Sequence, residues 1–203
     1  ILPALLILMF LGSCNKKQDL ILVPSNNPFE VMPSRFQQNI LLEHFSDEAK
    51  TATVENGLLV NRLKATYPHR VFAANFHQND FLETAYATYL ANQLGGLISI
   101  SRGTVNRTVG KQTLNGEDGN LLLSPQNWEG GILQSLMQPD APLSIAMETA
   151  QNANGTGTLN VYIAHKQSLS ADTRLLVYAL EDNIQPLFQQ GNIDGFKHNN
   201  VFK

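Results

Sequence analysis

The stretch Ile40–Phe76, ILLEHFSDEAKTATVENGLLVNRLKATYPHRVFAANF, decides the fold. Its opening, Ile40 to Phe45, is a short apolar run of the kind that fills a buried strand. Ala49 to Tyr67 then reads as a helix, with Ala52, Leu59 and Leu63 on one side and Pro68 stopping it. Val71 to Phe76 is a second buried run. Strand, helix and strand in this order predict an α/β unit.

The pattern continues outward from that unit. Asp80 is placed to cap a second helix, in which Phe81, Ala85 and Tyr89 recur at i, i+4 and i+8 before Gly95-Gly96 ends it. Leu97 to Ile100 and Thr104 to Val109 read as strands, and Asn115-Gly116 as a hairpin turn. Ser124 and Pro125 stand as N-cap and first residue of a third helix carrying Trp128, Ile132 and Leu136. Beyond Pro139 and Pro142 the period becomes two. Leu143, Ile145 and Met147 alternate, as do Leu159, Val161 and Ile163, and then Leu175, Val177 and Ala179. Three such runs predict a β-sandwich. Because only Lys203 follows the apolar Val201-Phe202, further C-terminal strands are expected to be missing.

The N-terminal run ILPALLILMFL is too short to cross a bilayer as a helix and matches the apolar part of a secretory signal. Leu11-Gly12-Ser13-Cys14 follows and resembles the bacterial lipobox, which implies acylation of Cys14 and cleavage just before it. Residues 1–13 are then a partial signal peptide. Residues 14–36, broken by Pro24, Pro28 and Pro33, are a lipidated tether in which Leu20 to Val23 could form an edge strand.

Fourteen Lys and Arg against 17 Asp and Glu leave a net charge of −3, with no electrostatic footprint for nucleic acid. Cys14 is the single cysteine. With that thiol acylated, disulfide, thiol-redox, Cys-nucleophile and Cys-metal chemistry are excluded. No Walker loop, Gly-x-Ser-x-Gly elbow or His-Glu-x-x-His is present.

With Leu41–Ser46, Val105-Asn106-Arg107, Trp128, Val177–Asp182 and Lys197–Val201 in this order, residues 37–203 resemble a Bacteroidetes lipoprotein family. It is the 28-kilodalton outer-membrane-protein-related family. The resemblance implies a thioredoxin-like α/β domain over 37–138 and an immunoglobulin-like β-sandwich, incomplete at its C-terminus, over 139–203. Many members carry Cys-x-x-Cys-Pro at the start of the first helix, where the helix dipole and free N–H groups favour a thiolate. The matching positions here are Lys50, Thr51, Ala52, Thr53 and Val54, and the position of the facing cis-Pro is Ser101. Lys50, Thr53 and Ser101 therefore mark a dismantled redox site, and oxidoreductase activity is not carried over.

The expected function is a lipid-anchored binding or interaction protein of the bacterial outer membrane, facing the periplasm or the surface. Its expected partners are the membrane, through Cys14, and an envelope protein or peptide. Arg102, Asn106 and Arg107 form the candidate binding face; the alternative is an Asn that satisfies backbone groups and an Arg that covers apolar surface. No catalytic residue, metal or cofactor is expected. Two other readings remain open: thiol-free chemistry around His44, Asp47, Glu48 and Lys50, or a degenerate paralogue without independent function. His77, His165 and His198 fall in elements that predict no shared pocket.

Overall fold

The computed structural model describes residues 36–95, 101–138, 140–153, 155–166, 168, 170, 172–191 and 195–203. It also describes the backbone of two short strands, β1 (Ala4–Leu5) and β2 (Phe10–Leu11). Cys14, the expected tether with its candidate strand at Leu20 to Val23, and the expected strand Leu97 to Ile100 lie outside the described residues.

The chain is a mixed α/β protein. β3 (Ile40–Ser46) and β4 (Val71–His77) pair in parallel over their whole length, Ile40 opposite Val71 and Ser46 opposite His77. α1 (Ala52–Thr66) is the crossover between them. β5 (Arg102–Val105) runs antiparallel along the other side of β3, and Leu123 bridges Gly103 beyond it. α2 (Ala85–Leu94) follows β4, and α3 (Trp128–Leu136) follows a 3-10 turn at Pro125–Asn127.

Side-chain alternation divides the core into two layers. Ile40 and Leu42 of β3 and Val71 and Ala73 of β4 pack with Val60 and Leu63 of α1 and with Trp128 and Ile132 of α3. On the opposite face Leu41, Phe45, Ala74 and Phe76 pack with Ala87, Leu90 and Ala91 of α2.

The C-terminal third departs from a sandwich. Two of the three alternating runs form an antiparallel ladder, β6 (Leu143–Gln151) with β7 (Gly157–His165). The third run does not join them. Leu175–Leu176 is β8, paired with β1, and Tyr178 is buried against Phe76 of the larger sheet. β9 (Leu180–Glu181) and β10 (Val201–Phe202) then extend that sheet, giving the order β2-β9-β10-β4-β3-β5. The physical reason is the outer edge of β4: Val201 pairs with Asn75 there and becomes fully buried. Strands from both sides of 138/139 thus contribute to the larger sheet.

Local differences have local causes. α1 begins at Ala52 rather than Ala49, after Asp47 turns the chain by accepting from Ala49 N at 2.7 Å. α2 is capped by Thr84, whose hydroxyl accepts from Ala87 N, while Asp80 closes the preceding turn on Leu82 N. The strand expected over Thr104 to Val109 stops at Val105, because Asn106 and Arg107 both take a left-handed conformation, φ 51° and 50°. Asn115-Gly116 lies in a 3-10 turn with positive φ at both residues, rather than between paired strands.

Candidate functional site

The parity that buries Ile40 and Leu42 also points His44 and Ser46 toward α1, and in β4 it does the same for Asn75 and His77. The apolar layer therefore gives way to polar side chains at the carboxyl ends of two parallel strands, where open α/β sheets place their ligands. Residues 196–199 cross over this end and enclose a small cavity between sheet and helix, with room for about one water molecule. Its lining includes His44, Thr53, Asn75, His77, Phe196 and His198.

His44 is 1% exposed and packs edge-on against the Trp128 ring. Its Nδ1–H donates to Asn75 Oδ1 at 3.0 Å, which leaves Nε2 to accept from the Ser101 hydroxyl. Asn75 donates in turn to the Asn199 carbonyl. Burial, and then the neighbouring His77 and His198, press the His44 pKa down to about 3 against the help of Asn75. Burial thus keeps the ring neutral at physiological pH. This hydroxyl–imidazole–amide line is a buried structural network.

The second group is more highly charged. His77 Nδ1 donates to Asp80 Oδ2 at 2.8 Å. The same carboxylate accepts from Glu48 N at 3.0 Å and from Leu82 N at 2.8 Å. Burial opposes ionisation of Asp80, but the His77 hydrogen bond and charge hold its carboxyl below the usual range. The His198 ring stands edge-on to His77, centroids 4.7 Å apart. Its Nε2 lies 2.9 Å from Glu48 Oε1, off the line of a hydrogen bond, so neither buried atom has a directed partner. Burial and His77 lower His198 to about 4, and burial and Asp80 raise Glu48. Among the described residues no three His, Cys, Asp or Glu side chains are arranged to hold a metal ion.

Of the residues read as a dismantled redox site, Thr53 and Ser101 border this region and Lys50 is exposed beside it. The Thr53 hydroxyl donates to the Asp47 carbonyl at 2.6 Å. The chain's own C-terminal loop lies over the start of α1: Gln190 N donates to Glu48 O at 2.9 Å and the Gln189 amide to Lys50 O at 3.3 Å.

The candidate binding face is held by internal bonds. Arg102 donates to Glu117 at 2.9 Å and to the Leu122 carbonyl at 3.2 Å. Asn106 Oδ1 accepts from Leu41 N at 2.7 Å. Arg107 grips buried Glu43 through two bonds of 2.8 Å. Asn106 therefore serves the backbone as its alternative reading holds, and Arg107 answers a buried charge that the sequence reading did not pair with it.

Of the His44 cluster, His44 and Glu48 enter the buried site, whereas Asp47 and Lys50 do not. His77 and His198 do share a cavity, contrary to expectation. The parity of His44, Ser46, Asn75 and His77 on adjacent strands was a usable signal for half of it. Asp80 and His198 carried no comparable local signal.

No family model matches the chain, and no curated protein matches it by sequence. Among solved structures it is similar to HBP35 of Porphyromonas gingivalis, with TM-score 0.61 and 21% identity. The match covers 82% of this chain and 56% of that one, so the chain spans little more than half of that structure's length. At this identity the likeness concerns the fold. No helix among the described residues is long and apolar enough to cross a membrane.

Proposed function

We propose that this chain is a binding or interaction module of the cell envelope, anchored through Cys14 and built on a thioredoxin-like scaffold without thiol chemistry. One observation carries the reading. At the helix start where such a scaffold does its redox work, the chain has Lys50 and Thr53, and its own Gln189 and Gln190 bond to the backbone there. The parallel β3–α1–β4 unit, flanked by antiparallel β5 and followed by α3, is consistent with that scaffold. Among the described residues, the imidazole beside the Ser101 hydroxyl is His44, and its burial lowers its basicity, which supports a non-catalytic reading.

The test is in-cell photo-crosslinking of the tagged full chain, with the reactive group at Phe188 beside the helix start or at Val109 beside the Arg107 turn. Both positions are exposed. A reproducible adduct with one protein or peptide is the expected result, and its position identifies the face used. No adduct from either position, or turnover of a disulfide substrate by the purified chain, overturns the reading.

A further inference from the structure

We infer that residues 184–191 form an acid-released strap: protonation of the histidine cluster beside it frees this segment and uncovers the start of α1 while the sheet stays folded. The inference does not depend on the binding reading and is measured without any partner.

The strap is fastened at few points, and most converge on Glu48. Ile184 and His198 exchange backbone hydrogen bonds of 3.0 and 2.9 Å. Farther along, the Glu48 carbonyl accepts from Gln190 N at 2.9 Å and from the Gln189 amide at 3.0 Å. Glu48 Oε2 accepts from Phe188 N at 3.4 Å, and Oε1 meets His198. Gly191 lies so close to α1 that a Cβ there would stand 2.6 Å from the Thr51 methyl. Its φ of +73° also suits glycine.

Each element around His198 brings identifiable charges. Glu48 faces it from the turn after β3, His77 from β4, Asp80 from the turn after β4, and His44 from β3. α1 presents Thr53, Gly57 and Asn61 there, none of them titratable, and Lys64 farther along is bonded to Asn200. The C-terminal segment adds Lys197 at the cavity wall, and Asp182 accepts from Asn200 N.

Acid acts on the strap through His198. A proton on His198 creates a buried cation beside His77, which costs free energy unless fully paired. Glu48, raised by the same burial, holds its own proton more tightly with the strap down and so opposes part of this effect. Burial holds His198 at about 4 against 6.5 for an ordinary imidazole, so a released ring takes the proton more readily than a fastened one. Lifting the strap exposes little new apolar surface, since Leu187 is already 76% and Phe188 73% exposed. Val201 and Tyr178, both buried, stay with the sheet.

The experiment is amide hydrogen exchange on the full chain at about pH 7.5 and about pH 4.5, corrected for intrinsic rates. Protection at Gln190 and His198 is expected to fall about tenfold or more in acid, while β3 and β4 amides remain far slower to exchange than the strap. In His198→Gln, which cannot take the proton, the acid loss should vanish. Should that variant not fold, the wild type still decides: loss of protection must share its midpoint with NMR titration of the His198 ring. Unchanged protection in acid, β3 and β4 amides exchanging as fast as those of the strap, an identical loss in His198→Gln, or a midpoint apart from the ring titration overturns the inference.

Discussion

Arg107 and Glu43 form a two-pronged ion pair, Nε and Nη2 each 2.8 Å from a carboxylate oxygen, inside the layer between the sheet and Tyr178. Glu43 is 0% exposed and Arg107 14%. The Tyr178 hydroxyl donates to Glu43 at 2.8 Å and accepts from Arg107, so three chain segments meet at one buried carboxylate. Burial opposes the Arg107 charge, yet Glu43 raises its pKa above the ordinary value; burial and Glu43 likewise raise that of Tyr178.

Removing one partner strands the other. Arg107→Ala is expected to destabilise the fold by about 3–5 kcal/mol, because Glu43 is left buried and unpaired. Tyr178→Phe removes one hydrogen bond to a charged group and should cost about 1–3 kcal/mol. Denaturant unfolding followed by fluorescence of Trp128, the single tryptophan, measures both. A cost below about 1 kcal/mol for Arg107→Ala would contradict the pairing.

Asn106 works through both its side chain and its conformation. Its Oδ1 accepts from Leu41 N at 2.7 Å, its own N donates to Leu41 O at 2.8 Å, and its φ is 51°. Asn106→Ala loses the side-chain bond and strains the left-handed turn; Asn106→Gly loses only the bond. Alanine should therefore cost about 1 kcal/mol more than glycine, read from the same unfolding curves. Equal costs would show that the turn conformation does not matter.

Stability should fall with acid in a stated window. His44 and His198 are held neutral in the folded chain, at about 3 and about 4 against 6.5 for an ordinary imidazole. Between those values the unfolded chain binds more protons, so their contribution is whole above 6.5 and is lost as pH falls through the window. Asp80, lowered, acts in the same sense, while Glu48, raised, offsets part of the loss. The net loss should be on the order of several kcal/mol. Denaturant midpoints that stay level from about pH 7 to about pH 4 would rule this out.

Asp80 organises the turns at this end of the sheet by accepting from His77, Glu48 N and Leu82 N. Asp80→Ala is expected to cost about 3 kcal/mol and to raise hydrogen exchange at the Glu48 amide. Its effect on the Glu48 amide should exceed that on β6 or β7, whose ladder it does not touch. Uniform loss of protection across the chain would assign Asp80 a global role instead.

Much of the fold was legible locally. The apolar runs at Ile40 and Val71 became the central parallel pair, because continuous burial on both faces leaves a strand little other place to go. The helices at Leu59–Leu63 and Trp128–Ile132 followed from period and from proline.

What tertiary structure decided was every relation across long separations. Two-residue alternation at Leu175–Ala179 could not reveal that Tyr178 turns inward to Glu43 and Arg107. Nor could the isolated His198 reveal its neighbours His77 and Glu48, which come together only when β10 pairs with the edge of β4. Local periodicity records which face of an element is apolar. The partner of a buried charge is set by chain closure, and that is where this protein's polar cluster originates.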